Sequence, residues 1–428
     1  MLQTDAEYAK LFSDDQRGNL VFNGTTQRFY KKDNGIFVEL PREKLSAEII
    51  AAGLRLLERG EIEAGEMKKY CNLGGINNIA NLSRAALYAD HSLFDSNLDL
   101  VGCKNGVLSL VEGQIVDSGV DIVTKRIGSY FDPNADCPQF KKFLNQIMDG
   151  DQDQVDFFQR AMGYTLSGTL QEQCMFVLIG NGANGKSTFT SILTKLLGEY
   201  AGTTPMSTLT IQRYNNPASN DLAELAGLRF VLASESESSD RLAEAKIKSI
   251  TGGEPITARR LRQNFFTYQP KFTIWLGTNE LPAIRGNTEA IWRRLHIIEF
   301  PITIPFEQRD GTLMNKLIVE LPGILNFALA GYRQWREVGL DVPKKIRDVT
   351  ATYRHDSDTI AQFVEACCNP DPSKWEMTAT LHAHFERWCK SNGIVSMNRM
   401  NFGKEMGRSG YEPHRSKTGN GWKGIKIR

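Results

Sequence analysis

Cysteine is sparse and unpatterned: seven residues, at 71, 103, 137, 174, 367, 368 and 389, with no CxxC pair and no Cys/His zinc spacing. An odd, scattered set excludes a disulfide framework and fits reduced thiols in a cytosol; Cys367-Cys368 is expected as a packed helix turn. Long apolar runs are missing too, and the opening MLQTDAEYAK has no signal-peptide core, so neither membrane insertion nor secretion is expected. A cytoplasmic location is. Charge of one sign is absent overall: the formal net charge is +1, which excludes a polybasic chain and leaves any polyanion site to local patches. The balance drifts along the chain, with 13 Lys+Arg against 17 Asp+Glu over residues 1–120 and 11 against 5 over residues 371–428. The basic end is the C-terminal one. There is no internal repeat and no low-complexity segment. Apolar and charged contents of 41% and 24% are those of a folded globular chain, and 428 residues favour two or three domains over one.

What is present is concentrated at Gly180-Asn181-Gly182-Ala183-Asn184-Gly185-Lys186-Ser187. The pattern GxxxxGKS is that of a phosphate-cradling loop. Glycines at both ends let the backbone fold back so that several N–H groups converge on one anion. Lys186 then reaches the β/γ-phosphates of a nucleoside triphosphate, Ser187 takes a position on Mg2+, and Thr188 completes the contact set. The flanks agree. Cys174-Met175-Phe176-Val177-Leu178-Ile179 reads as a buried strand, and Phe189, Ile192, Leu193, Leu196 and Leu197 fall at helical spacing, so a helix N-terminus faces the phosphates.

Hydrolysis needs an acid on a neighbouring strand to hold Mg2+ and polarise water. Leu228-Arg229-Phe230-Val231-Leu232-Ala233 is the candidate strand, ending in Ser234-Glu235-Ser236-Glu237. Glu235 is the first choice, as metal ligand and catalytic acid, and Glu237 the second; a solvated acidic turn would use the same residues. A third strand, Lys271-Phe272-Thr273-Ile274-Trp275-Leu276, leads to Asn279, whose amide is placed to bond the attacking water or the γ-phosphate, or else simply to turn the chain before Leu281-Pro282. Arg293 and Arg294 precede a fourth strand. A guanidinium offered to a neighbour's γ-phosphate stabilises transition-state charge; Arg294 directly precedes the strand and ranks first, with Arg293 supporting it or pairing with an acid.

Between these strands lies Arg259-Arg260-Leu261-Arg262-Gln263-Asn264-Phe265-Phe266, a basic–aromatic stretch. Arg259, Arg260, Arg262 and Phe265 suit phosphate contact and base stacking, while core phenylalanines under a solvated hairpin are the other reading. The end of the chain reads helix, helix, helix, then two strands near 412–415 and 422–427, with Ser396 as the helix cap and 416–421 as a Gly-rich tip. This is winged-helix grammar. Arg399, Lys404, Arg408, Arg415, Lys417 and Lys423 are its candidate DNA contacts, although such modules also dock proteins. Upstream, residues 45–59 form an amphipathic helix, residues 98–120 short strands turning at Asn105-Gly106 and Glu112-Gly113, and residues 140–166 a helical stretch. Helices are expected over 312–337, and Val342-Pro343 as a hinge.

In this order, GNGANGKS, FVLASESE, ITGGEPITARRL, IWLGTNELP and WRRLHIIEFP resemble superfamily 3 helicases, and more narrowly the helicase half of phage, plasmid and poxvirus primase–helicases. Asn105-Gly106-Val107-Leu108 and Tyr130-Phe131-Asp132-Pro133 through Cys137-Pro138 resemble that family's pre-helicase region. The resemblance implies an AAA+-like P-loop core of parallel sheet flanked by helices (141–345), with an N-terminal mixed α/β domain (1–140) and a C-terminal winged helix (346–428). It implies a ring, usually a hexamer, with ATP between subunits, Asn279 as sensor, 3'-to-5' movement on DNA, and a channel hairpin carrying Arg259 to Phe266. The expected activity is ATP-dependent DNA unwinding in replication of a phage, prophage or mobile element, in the host cytoplasm; the rival is an initiator or loader switched by ATP. A kinase or GTPase is disfavoured by the lack of an NKxD-type motif. Family members often carry a primase domain ahead of this region; no acidic triad or zinc cluster for primer synthesis is visible, so priming is not expected.

Overall fold

The computed structural model describes residues 4–211, 220–234, 241–262, 264–284, 289–417 and 419–428. At its centre five strands run parallel. Their spatial order is Leu295–Glu299, Met175–Ile179, Thr273–Thr278, Phe230–Ser234, Ala201–Pro205. Side chains alternate between the two faces, as a strand's period of two requires. Phe176, Leu178, Phe230, Trp275 and Ile298 enter one core, and Met175, Val177, Val231, Ile274, Leu276 and Ile297 the other. Both faces are covered, which explains why four of these strands read as apolar runs rather than alternating ones, while the edge strand Ala201–Pro205 (AGTTP) does not.

The first core is closed by the helices Gln152–Ser167 and Leu321–Val338. They touch backbone to backbone: a Cβ at Gly331 would run into the Gln159 carbonyl oxygen. The expected helical stretch over 140–166 is two helices, Pro138–Ile147 and Gln152–Ser167. Asp149 and Gly150 both take positive φ, and Asp151 caps the second helix by accepting from the Gln154 N–H. The three-stranded sheet Leu100–Cys103, Gly106–Ser109, Gln114–Val116 turns at the expected Asn-Gly and Glu-Gly positions and shares this core through Val101, Cys103 and Leu108. Arg229 ties it down. Its buried guanidinium donates to the carbonyls of Leu98 (3.1 Å), Leu100 (2.8 Å) and Leu166 (2.7 Å) and lies over the Tyr200 ring. Burial pulls its pKa below the ordinary arginine value.

The N-terminal residues have a core of their own. Tyr8, Phe12, Phe22, Ile49, Tyr70 and Ile79 pack the helices Asp5–Asp15, Arg42–Glu58 and Leu73–Ala86 on a four-stranded sheet. The chain turns at Asp341–Pro343, but the helix Lys344–Ser357 comes back onto the edge strand of the central sheet. There Thr350 Oγ1 accepts from the Ile297 N–H and Tyr353 stacks edge-on against Trp292. The turn at Val342-Pro343 is thus internal to the packed core, and the last module begins only beyond Ser357.

That module has a separate core of Phe363, Leu381, Phe385, Phe402, Trp422 and Ile425. It holds three helices, Thr359–Cys367, Thr378–Ser391 and Arg399–Arg408, and a three-stranded antiparallel sheet. Two expectations are corrected here. Cys367 ends a helix while Cys368 opens an unanticipated strand, Cys368–Met377, so the pair is not a helix turn. Pro370 and Pro372 argue against a strand here; it survives as an edge strand with a register break between Pro370 and Trp375, where missing N–H groups do no harm. The cap of the helix Arg399–Arg408 is Asn398, whose side chain accepts from the Asn401 N–H at 2.9 Å, not Ser396. All seven cysteines are free, and burial pushes the thiols of Cys103, Cys137 and Cys368 up to about 12. No single helix among the described residues is long and apolar enough to cross a membrane.

Candidate functional site: a phosphate loop at the strand-order switch

The loop 180–185 follows the strand Met175–Ile179. The next strand in sequence, Ala201–Pro205, lies at the far edge of the sheet, so a crevice opens beside the loop, as at other strand-order switch points. Gly182, Ala183 and Gly185 take φ of 92°, 49° and 90°. Left-handed residues within so short a stretch turn successive N–H groups toward one concavity, and an alanine held there costs about 1–2 kcal/mol. Glycine at 185 is required on two counts: its φ, and a Cβ there would meet Ile147 Cγ2 at 2.5 Å. The helix Lys186–Leu197 starts immediately after.

Lys186 is buried, and its ammonium donates to the Gly180 carbonyl, the Thr278 carbonyl (2.9 Å) and Asn279 Oδ1 (3.0 Å). The structure therefore joins the loop lysine to the asparagine of the neighbouring strand, 93 positions along the chain. Asn184 is 3% exposed; its Oδ1 accepts from the Lys186 N–H, while its Nδ2 has no partner. An unsatisfied buried donor costs roughly 1–3 kcal/mol, and one beside converging backbone N–H groups suits an anion. Ser187 is exposed on the first helical turn.

A cavity of about 620 Å³ continues from the loop, lined by Phe143 and Gln146 of the helix Pro138–Ile147, by Ala183 and Thr188, and by Ile304 and Arg309. Its far wall is fixed to the loop by the Ile304 N–H donating to the Ala183 carbonyl at 2.8 Å. One ring, the apolar Ile304 and Leu313 and a few amides fit a nucleoside, and the one carboxylate of the lining, Asp310, is paired with Lys316. Neither wall was foreseen from sequence; the only local sign was the amphipathic spacing of Phe140, Phe143 and Ile147. A second cavity, about 610 Å³, lies by the edge strand and is lined by Asp151, Asp153, Asp348 and Asp356 with Lys344 and Lys345. Its carboxylates make it a poor phosphate site.

Glu235 and Glu237 lie outside the described residues. The described strand before them ends at Ser234, paired with Gly277, one strand removed from the loop strand. Among the described residues no cluster of three His, Cys, Asp or Glu side chains could hold a metal.

Arg293 and Arg294 lie at the opposite edge of the sheet, since Leu295 pairs with Met175 at the start of the loop strand. Five residues at ~3.3 Å each separate that edge from Gly180, about 17 Å. Arg294 is only 7% exposed, and donates to the Ala290 carbonyl (2.5 Å), Thr251 Oγ1 (3.1 Å) and Gln173 Oε1 (3.1 Å). Arg293 is exposed and donates to the same Gln173 oxygen at 2.9 Å. Accessibility thus favours Arg293, the reverse of the order read from sequence.

The basic stretch is an antiparallel hairpin, Ile256–Arg259 with Phe265–Tyr268. Arg259 lies over Phe265 and Arg260 over Phe266, at 5.0 and 5.6 Å. Arg260 also meets Glu224, and Arg262 takes a φ of 62° at the tip. The two phenylalanines part: Phe265 is 57% exposed, whereas Phe266 packs on the second core. Leu261, 79% exposed, crowns the hairpin and was not anticipated. In the last module Arg399, Lys404, Arg408, Arg415, Lys417 and Lys423 are all exposed, with Arg408 paired to Glu405 and Lys423 to Glu412.

Three family profiles match the chain. "D5 N terminal like" covers residues 9–149, a family of unknown function (DUF5906) residues 178–294, and "Poxvirus D5 protein-like" residues 355–423. The chain is similar to viral primase–helicases. It is 30% identical over 323 residues to "Putative helicase L207/L206" of Acanthamoeba polyphaga mimivirus, covering 70% of this chain and 34% of that protein. It is 25% identical over 256 residues to "Putative helicase 022R" of Frog virus 3, covering 55% and 26%, and 23% identical over 328 residues to "Putative primase C962R" of African swine fever virus, covering 70% and 34%. The chain spans about a third or less of the length of these relatives. In fold it matches the apo C-terminal region of NrS-1 over 99% of this chain and 100% of that one, with a TM-score of 0.56 at 11% identity.

Proposed function

We propose that this chain is the ATP-driven motor of a viral or mobile-element DNA helicase, an AAA+-like module of superfamily 3 that unwinds duplex DNA in replication. The observation that carries the reading is the junction of Lys186 with Asn279 inside a left-handed loop at the strand-order switch. A lysine held on two carbonyls and a sensor amide is poised to exchange those acceptors for phosphate oxygens, so that triphosphate binding is felt at once by the adjoining strand. The orphan amide of Asn184 and the cavity beside Phe143 fit ATP, with the backbone N–H groups of 182–187 around its phosphates. Mg2+, when bound with the nucleotide, would neutralise charge across the β- and γ-phosphates. Ser187 and Glu235 would hold it, with Glu237 as a second acid.

The remaining parts follow from position. The exposed Arg293 stands some strand-length from its own loop, so its phosphate partner would belong to an adjoining copy in a ring, a hexamer by resemblance. The hairpin arginines with Phe265 would grip one DNA strand in the channel, moving 3'-to-5'. The C-terminal module, read as a winged helix, would contact DNA through Arg399, Lys404, Arg415 and Lys417. Residues 1–140 and 141–345 are the first two proposed domains, and the third, read from sequence as 346–428, is proposed to start past the helix Lys344–Ser357, which packs on the motor.

Lys186→Ala tests the core of this reading. It is expected to abolish ATP hydrolysis and strand displacement on forked DNA while the far-ultraviolet circular dichroism is unchanged. Turnover within about tenfold of the parent would refute the phosphate-loop assignment, because one ammonium supplies most of the side-chain charge on the leaving phosphate.

A further inference from the structure

Two guanidiniums, Arg293 exposed and Arg294 buried beside it, repel each other unless something between them holds both. Arg293 and Arg294 are adjacent, and among the described residues no acid pairs with either. Exposed arginines elsewhere divide: Arg28 meets Glu39, whereas Arg42 donates to the Asn77 amide oxygen, each with a partner to itself. What stands between the pair is a neutral amide oxygen, Gln173 Oε1, accepting from Arg293 at 2.9 Å and from Arg294 at 3.1 Å. Gln173 occupies the left-handed region, φ 51°, and its N–H donates to the Leu170 carbonyl, so a tight turn aims its side chain. It sits two residues before the loop strand, where the Met175 N–H also bonds the Arg294 carbonyl. The arginines are thereby fastened, by backbone and side chain, to the strand that ends in the phosphate loop.

We propose that Gln173 is a positioning residue, which holds Arg294 as a buried strut and aims Arg293 at the nucleotide of an adjoining copy of this chain. The proposal rests on the shared-site reading above. An amide suits the task for an electrostatic reason. It offers two lone pairs to two cations without cancelling their charge, whereas a carboxylate would pair with them and compete with the incoming phosphate. Arg294 extends the link to Thr251, the last residue of the helix Glu244–Thr251 that leads into the basic hairpin. Nucleotide contact at one copy would thus be transmitted to both the hairpin and the loop strand.

The test compares Gln173→Met, which keeps size and loses the acceptor, with Gln173→Glu, which keeps the acceptor and adds charge. Both are expected to lower kcat for ATP by roughly tenfold to a hundredfold, with KM within about twofold, and Gln173→Glu is expected to melt no lower than the parent. Mixing Gln173→Met with Lys186→Ala subunits, after exchange, should restore turnover, since one interface then has an intact loop facing an intact Gln173–Arg293 pair. Parental kcat in Gln173→Glu would reduce Gln173 to a packing residue and overturn the proposal, as would mixtures that recover with Arg293→Ala but never with Gln173→Met. If Arg293→Ala itself turns over normally, the shared-site reading fails and the proposal with it. Inactive Arg293→Ala beside active Gln173 variants would remove the positioning role alone.

Discussion

His296 stands on the edge strand of the central sheet with its ring against Phe157 and Phe176, at 6.1 and 5.8 Å between ring centres. Burial there lowers its pKa from 6.5 to about 4, because a protonated imidazole would lose its hydration among aromatic rings. The unfolded chain takes up this proton below pH 6.5 and the folded one does not, so stability falls as pH drops from 6.5 toward 4 and is flat above. At pH 5 the loss due to this residue is expected to be up to about 2 kcal/mol. Urea titrations at pH 7 and pH 5 measure it, and His296→Leu should make the two midpoints converge. An unchanged gap in that variant would assign the acid sensitivity elsewhere.

At the scale of elements, the hairpin Ile256–Arg259 with Phe265–Tyr268 is where charge and apolar surface meet in the open. Phe266 and Tyr268 anchor it to the second core, the latter through its hydroxyl on the Leu222 carbonyl, while Leu261 and Phe265 remain exposed. The anchoring lets the tip be altered without disturbing the sheet. Replacing Arg259, Arg262 and Phe265 by Ala should leave basal ATP hydrolysis within about twofold and the melting temperature unchanged. It should lower DNA-stimulated hydrolysis and unwinding by about tenfold or more, since phosphate neutralisation and stacking are lost together, the latter worth ~1–3 kcal/mol per base. Normal stimulation at saturating DNA would show these to be ordinary surface groups. Arg260 is left intact in this variant because its contact with Glu224 mixes a structural role with the charge.

For the whole molecule, the separate core built on Phe363, Phe385, Phe402 and Trp422 means the last module can be removed cleanly only if the cut respects the strand Cys368–Met377. A chain ending at residue 357 keeps the helix Lys344–Ser357 on the central sheet. It is expected to hydrolyse ATP at the parental basal rate and to bind DNA more weakly. The slope of log affinity against log salt should flatten by roughly three to four, one phosphate contact for each of Arg399, Lys404, Arg415 and Lys417. Arg408 and Lys423 already face Glu405 and Glu412 and should add little. A slope unchanged by the truncation would mean that this basic module serves something other than DNA.

Local order was legible in the linear chain. The strand–loop–helix around Lys186 could be read there, because a strand's apolar run, a loop's glycines and a helix's 3.6 spacing are properties of neighbours in sequence. Four of the five parallel strands announced themselves for the same reason; the fifth, Ala201–Pro205, has no apolar run and was not read. Only the tertiary structure decided that Asn279 meets Lys186, since the order of strands depends on how two faces are covered, not on any strand's own residues. It also decided between Arg293 and Arg294: adjacent residues of one type differ only in which way the chain enters the sheet, and one became a buried strut. The cavity beside the loop belongs to this second kind of fact, assembled from segments around 143, 183 and 304 that share no local pattern. So does the edge strand with two prolines, whose sequence argues for a loop until a partner strand supplies hydrogen bonds on the other side.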